Sequence, residues 1–106
     1  MPTELVTVLM TAPDAEVAER LGRTLVEERL AACVNVVRDV VSVYRWDGEI
    51  QREAEALVIM KTTADALGAL EVRAAELHPY SVPEVLALPV VGGHRPYMDW
   101  VRAEVG

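Results

Sequence analysis

One side chain in this sequence of 106 residues stands out for its chemistry, the thiol of its single cysteine, Cys33. It lies within an apolar run, where a free cysteine is usually a small buried hydrophobic residue. A deprotonated thiol at the same place would bind a soft or borderline metal such as copper. Because no second cysteine or histidine lies near it in the sequence, both interpretations stay open.

The most unusual local string runs from His78 to Glu84 and reads HPYSVPE. Its two prolines predict a rigid turn that presents Tyr80, Ser81 and Glu84 together, as binding loops often do. His78 ends a predicted helix, where the helix dipole favours it for structural reasons alone. His78 and Ser81 do not indicate a nucleophilic enzyme, since the sequence offers no orienting acid, glycine-rich elbow or oxyanion loop.

A second group of polar and aromatic residues surrounds the Asp-Gly pair at 47–48. Tyr44 and Trp46 are interpreted as interface anchors rather than a ligand cage. The predicted face of Tyr44 and Trp46 also carries three glutamates, Glu49, Glu53 and Glu55. They are interpreted either as a solvated edge or as an oxygen-rich rim that binds divalent cations. The only lysine, Lys61, lies in an apolar strand, so we expect it to pair with an acidic side chain or to contact a ligand.

The charge balance excludes two classes of partner. Seventeen acidic against ten basic residues give a formal charge of −7, which repels nucleic-acid phosphates and anionic membranes. One cysteine makes no internal disulfide, and the N-terminal residues do not form a signal peptide. We therefore expect one domain over residues 1–106, in the cytoplasm.

Apolar periodicity and turn signals predict the element order β-α-β-β-α-β with a short C-terminal helix. Strands are predicted over residues 3–11, 31–46, 50–62 and 82–91, and helices over residues 14–30, 65–78 and 95–104. Asp14 is the expected N-cap of the first helix. This order is that of the ferredoxin-like α+β fold, an antiparallel sheet with a long hairpin between its second and third strands.

That hairpin is too long for a small domain to enclose. Extended, residues 32–46 span about 50 Å, whereas a compact chain of this size is about 33 Å across. A two-residue turn at Asp47-Gly48 predicts the following pairs: Trp46 with Glu49, Tyr44 with Gln51, and Val36 with Ile59.

In that register both faces of the basal hairpin are apolar. One face is predicted to carry Val34, Val36, Leu57 and Ile59, and the other Cys33, Val37, Val58 and Met60. Two helices cover only one face of an antiparallel sheet, so the second face needs another copy or a partner. We expect an obligate homo-oligomer; the alternative is a bulged hairpin that curls back onto its own domain.

Co-linear motifs across nearly the whole chain carry a resemblance to a known family. They are TAPD at 11–14, LAACVNV at 30–36, YRWDGEI at 44–50, IMKT at 59–62, HPY at 78–80, Pro83-Glu84, ALP at 87–89, and Tyr97 with Trp100. Together they resemble the CutA family of divalent-cation tolerance proteins.

The resemblance implies a ferredoxin-like fold assembled as a tight trimer, related in architecture to PII signalling proteins. It also implies a cytoplasmic protein linked to tolerance of copper and other divalent cations, with no cofactor required. The metal ligands it points to are Cys33, His78 and Glu84. A candidate intersubunit ligand cleft comprises Tyr44, Trp46, Lys61 and Tyr80. Ser81 departs from the family, where many members carry a longer acidic or amide residue, so Glu84 is the carboxylate left in that loop.

The sequence is therefore interpreted as a non-enzymatic homotrimer that binds copper or another divalent metal ion, without nucleic-acid or membrane partners. An alternative is a PII-like trimeric sensor of a small molecule or nucleotide that acts through partner proteins. A third possibility is a trimerisation module whose ligand is another protein.

Overall fold

The computed structural model describes residues 4–106 and contains four strands and three helices within them. The elements are β1 (Leu5–Ala12), α1 (Ala15–Glu27), β2 (Cys33–Trp46), β3 (Glu49–Thr63), α2 (Leu67–Leu77), β4 (Leu86–Pro89) and α3 (Arg95–Glu104). The predicted order and the α+β class are confirmed. Thr3, the predicted start of the first strand, lies outside the described residues.

The strands form one antiparallel sheet in the order β2-β3-β1-β4. Helices α1 and α2 pack on one face of it and form the main core with β1 and β3. The largest fully buried apolar side chains on the sheet side of this core are Val8, Met10, Val58 and Met60. No described helix of residues 4–106 is long and apolar enough to span a bilayer.

Helix α1 begins where the sequence predicts but ends earlier. Asp14 caps it, since its Oδ1 accepts the Val17 N–H at 2.8 Å. The predicted end at Leu30 is wrong, because Arg29 has φ = 61° and turns the chain out of the helix. The Arg29 guanidinium then donates to the carbonyls of Gly106 and Ala103 at 2.9 and 3.0 Å, which fastens the end of α3 to this turn.

The turn between β2 and β3 has the predicted two residues. Asp47 and Gly48 have φ of 51° and 78°, the left-handed pair that a type I′ hairpin requires. Trp46 pairs with Glu49 and Tyr44 with Gln51, as predicted. The long hairpin gives the molecule extents of 46 × 25 × 22 Å.

The predicted pair of Val36 with Ile59 is wrong, because β2 contains a bulge. The register shifts by one residue between Val37 and Val40, and Asp39 there has φ = 57°. Val36 consequently pairs with Val58. Since a shift of one residue exchanges the faces of a strand, the predicted faces are also wrong. Val34 and Val36 lie with Val58 and Met60 under the helices, whereas Leu57 and Ile59 lie with Cys33 and Val37 on the other face.

We call this other side of the sheet the open face. Helix α3 covers only one end of it, where Val101 packs with Leu5 and Ala32. Beyond α3, the open face presents half-buried or exposed apolar side chains from all four strands: Leu9, Val37, Leu57, Ile59, Leu86 and Leu88. The last strand is also shorter than the predicted 82–91, since only Leu86–Pro89 pairs with β1.

A pair of glycine substitutions tests the packing of α1 on β2. A Cβ at buried Gly22 would lie 2.6 Å from Val34 Cγ1, whereas a Cβ at Gly68 in α2 meets nothing within 4 Å. We expect Gly22→Ala to lower the free energy of unfolding by about 1–3 kcal/mol. Gly68→Ala should raise it by up to about 1 kcal/mol, because alanine is the better helix former. Urea denaturation at one protein concentration measures both; equal changes in the two variants would contradict the close packing.

Candidate functional site

A groove of about 750 Å³ lies between the outer half of the hairpin and the loop after α2. Beyond the bulge, β2 and β3 direct alternate side chains towards it. The hairpin contributes Tyr44, Trp46, Gln51, Glu53 and Glu55, and the loop contributes Tyr80, Ser81 and Glu84. Three of the four residues predicted for a ligand cleft, Tyr44, Trp46 and Tyr80, therefore meet here.

A buried carboxylate joins the two sides of the groove. Glu55 is only 9% exposed, and its Oε2 accepts a hydrogen bond from the Tyr80 hydroxyl at 2.7 Å. Burial raises the pKa of the Tyr80 phenol, and the hydrogen bond to Glu55 raises it further. Tyr80 thus stays a hydrogen-bond donor, which a buried carboxylate needs.

A second tyrosine, Tyr44, is hydrogen-bonded to a glutamate, Glu53, nearer the hairpin tip. Burial raises the pKa of Tyr44, and its hydrogen bond to Glu53 adds to the shift. Carboxylates are contributed to the groove by Glu53, Glu55 and Glu84, and none of the described residues that line it is Lys, Arg or His. The groove therefore favours cationic groups and repels anions.

Cys33 lies elsewhere, at the end of the open face beside α3. Its Sγ is 4.0 Å from Lys61 Nζ, and Lys61 donates to Asn35 Oδ1. Burial, followed by the charge of the neighbouring Cys33, raises the pKa of Tyr97 on α3. Within the described residues an amide, rather than the predicted acid, is the partner of Lys61. Lys61 does not line the groove with the other three predicted cleft residues.

His78 is buried and uses both ring nitrogens in hydrogen bonds. Its Nδ1 accepts the Tyr80 N–H at 3.1 Å, so Nε2 carries the proton and donates to the Thr11 carbonyl at 2.8 Å. The ring thereby ties the loop after α2 to the end of β1. Coordination of a metal would break at least one of these bonds.

The three predicted metal ligands do not converge within one chain. Cys33 lies opposite Lys61, which pairs with Thr7, whereas His78 contacts Thr11, four residues further along β1. That separation is about 13 Å along the strand direction alone. Among residues 4–106, no cluster of three or more His, Cys, Asp or Glu is placed to hold a metal ion.

Sequence reasoning missed the surroundings of Cys33. Asn35 and Tyr97 contact the cysteine and lysine region, one from the same strand and one from α3. Strand alternation places Asn35 on the face of Cys33, and that signal was available. Nothing local in the sequence indicates where α3 docks, because this depends on Val101 packing over β1.

The tyrosine titration tests the geometry of the groove. All three tyrosines have raised pKa values, so we expect their ionisation, followed by ultraviolet absorbance, to begin above about pH 10. Tyr80→Phe should remove the step at highest pH, whereas Tyr97→Phe should leave it in place. Because the folded pKa of Tyr80 exceeds the unfolded one, its contribution to stability is full below about pH 10 and is lost above it. A tyrosine in the wild-type protein that titrates at its ordinary pKa would contradict this arrangement.

Comparison with known proteins places the chain in a family. It matches the CutA1 divalent ion tolerance protein family over residues 6–104. It is 50% identical over 99 residues to the divalent-cation tolerance protein CutA of Thermus thermophilus, a match that covers 93% of this chain and 96% of that protein.

Solved structures agree with this match. The divalent cation tolerance protein (Cut A1) from Thermus thermophilus superposes with a TM-score of 0.94 at 49% identity, covering 96% of this chain and 99% of that one. CutA1 from Oryza sativa superposes with a TM-score of 0.96 at 40% identity, covering 99% and 96% respectively. Sequence and fold agree over almost the whole length, and the chain belongs to the CutA1 divalent ion tolerance family.

Proposed function

We propose that this chain functions in divalent-cation tolerance as a non-enzymatic homotrimer that binds copper or another divalent metal ion. Family membership supports the link to cations, and the family description names a tolerance and no reaction. The observation that carries the proposal is the placement of Cys33, the only thiol, half-buried on the open face of the sheet beside α3. A free thiol also fits the cytoplasm, which remains a prediction.

The open face supports self-association. Leu86, Leu88 and Val37 are 60%, 50% and 43% exposed there, next to half-buried Leu57 and Ile59. An apolar surface that extends across all four strands is typical of an interface. A second copy of the same face supplies matching apolar surface, and the number three comes from the family resemblance.

Self-association also supplies what a single chain lacks for metal binding. In one chain Cys33 lies apart from His78 and Glu84, so a site that includes Cys33 takes its other donors from a neighbouring subunit. Thiolate and imidazole suit copper, and a carboxylate suits harder divalent ions. Glu84 is exposed in the groove and free to contribute, whereas His78 contributes only if a hydrogen bond breaks.

A second candidate function is the PII-like sensor. The groove favours it, because aromatic side chains and a 750 Å³ volume suit a small ligand. Its three carboxylates disfavour nucleotides and organic anions, since like charges repel in a partly desolvated groove. Thermal-shift measurements with ATP and with copper separate the two candidates.

A charge on the open face tests the assembly. We expect Ile59→Arg to weaken association by about 30-fold or more, because it places an unpaired charge in the interface. Val72→Arg is the matched control, since Val72 is 63% exposed on α2, away from the open face. Sedimentation velocity in dilute solution measures the mass of the species that each protein forms. Wild-type protein at monomer mass, or an Ile59→Arg trimer as stable as the control, would refute the proposed interface.

Copper titration tests the metal role. Saturation at about 100 times Kd should stabilise the protein by about 2.7 kcal/mol, or on the order of 10 °C in Tm. Cys33→Ala should abolish this shift, and Glu84→Gln should reduce it. His94→Ala is the control, because His94 is exposed in the loop before α3. Isothermal calorimetry with copper(II) chloride that gives equal heats for Cys33→Ala and wild type would exclude Cys33 as a ligand.

A further inference from the structure

The groove between the hairpin and the loop after α2 combines carboxylates with exposed aromatic side chains. Glu53 and Glu84 are exposed in its lining, and Glu55 is buried in its wall. Trp46 is 56% exposed and Tyr44 is 39% exposed in the same lining. Carboxylates and the faces of aromatic rings both attract a positive charge, so this lining has the composition of a site for an organic cation.

Glu55 has one carboxylate oxygen that no protein group satisfies. The residue is more than nine-tenths buried, and its Oε2 accepts the Tyr80 hydroxyl at 2.7 Å. Its Oε1 accepts no hydrogen bond from residues 4–106, and it is not sealed in the protein interior, so it opens onto the groove. A desolvated carboxylate is costly without further partners. The groove therefore favours a ligand that is positively charged and donates hydrogen bonds.

The carboxylates of the groove are spread out rather than gathered around one point. Glu53 and Glu55 follow each other on one face of β3, about 7 Å apart at the spacing of a strand. Glu84 belongs to the loop on the other side of the groove. Among residues 4–106, no three acidic, histidine or cysteine side chains lie close enough together to hold a metal ion. This arrangement suits several positive charges joined by a chain better than it suits a single ion.

The free oxygen of Glu55 is held in place before any ligand binds. The His78 ring fixes the loop after α2, because its Nε2 donates to the Thr11 carbonyl and its Nδ1 accepts the Tyr80 N–H. Tyr80 in turn orients Glu55 through its hydroxyl. A ligand that binds here does not have to reorient this carboxylate, and preorganisation of this kind increases affinity.

We propose that the groove binds an aliphatic diamine or polyamine in its protonated form. Neighbouring ammonium groups donate to Glu53 and to Oε1 of Glu55, and the methylene chain between them packs on Trp46 and Tyr44. A hydrated metal ion has no methylene chain to pack on these rings. The inference names the ligand class of the second candidate function, the small-molecule sensor, on which it rests, and it does not involve Cys33.

Titration with putrescine and spermidine tests this site. In a Trp100→Phe background Trp46 is the only tryptophan, so its fluorescence reports on the groove. At constant ionic strength we expect both amines to change this emission saturably. Butylamine has the methylene chain of putrescine and a single charge, so it should bind about tenfold more weakly. Cys33→Ala should bind putrescine as wild type does, which separates this site from the proposed copper site.

Neutral variants separate binding in the groove from general attraction to an acidic protein. Glu53→Gln and Glu55→Gln should each weaken putrescine binding about tenfold, because each removes a carboxylate from an ammonium group. Glutamine keeps an oxygen that accepts the tyrosine hydroxyl, so the fold of the loop is retained. Glu49→Gln is the matched control, since Glu49 is exposed near the hairpin tip, lies outside the groove lining and undergoes the same change in charge. Isothermal calorimetry measures the four affinities.

The inference is overturned if neither amine binds saturably, if magnesium chloride displaces putrescine at equal ionic strength, or if Glu49→Gln weakens binding as much as Glu53→Gln. Binding of ATP without binding of either amine would leave the sensor function standing with a different ligand class. Binding of a lysine-rich peptide alone would assign the groove to a protein partner and would equally overturn the inference. Stabilisation by copper alone would leave only the metal role.

Discussion

A four-stranded sheet has two faces, and this chain supplies a full helical cover for only one of them. Helices α1 and α2 bury Val8, Met10, Val58 and Met60 on that side. Short α3 covers one end of the other side and leaves its apolar middle in contact with water. Burial of apolar surface is the main stabilising term in folding, so a face of this kind is stable when another surface covers it. The proposals on assembly and metal binding both rest on this asymmetry.

One additional residue in β2 decides what each side of the sheet carries. The bulge between Val37 and Val40 exchanges the faces of the outer part of β2 relative to its base, while β3 alternates without interruption. Below it, Val34 and Val36 lie under the helices; beyond it, Tyr44 and Trp46 line the groove on the opposite side. Without the bulge, Tyr44 and Trp46 would lie on the same side as α1 and α2, whereas Glu53 and Glu55 on β3 would stay on the open face with Leu57 and Ile59.

The chemistry of the chain is divided between two places. The Cys33, Lys61 and Asn35 cluster lies beside α3, and the acidic groove lies at the far end of the sheet. His78 has no free ring nitrogen to offer a ligand at either place, since both nitrogens are used in hydrogen bonds that join the loop after α2 to β1. Neither place is enclosed within a single chain, which is why the proposed function relies on the proposed assembly.

The sequence alone determined the element order, the Asp14 cap, the Asp47-Gly48 turn and the resemblance to the family, because each depends on residues close together in the chain. The family resemblance implied an intersubunit cleft of Tyr44, Trp46, Lys61 and Tyr80; three of these residues line a groove within one chain and Lys61 does not, and the intersubunit cleft stays a prediction. The bulge was not predictable, because a left-handed residue such as Asp39 carries no strong local signal. Since the bulge shifts the register, the predicted strand pairs and faces at the base of the hairpin were wrong. Only the tertiary structure decided that both ring nitrogens of His78 are hydrogen-bonded, that Lys61 pairs with an amide and that no basic side chain of residues 4–106 lines the groove. These facts depend on contacts between residues far apart in the chain, where packing rather than local preference selects the partner.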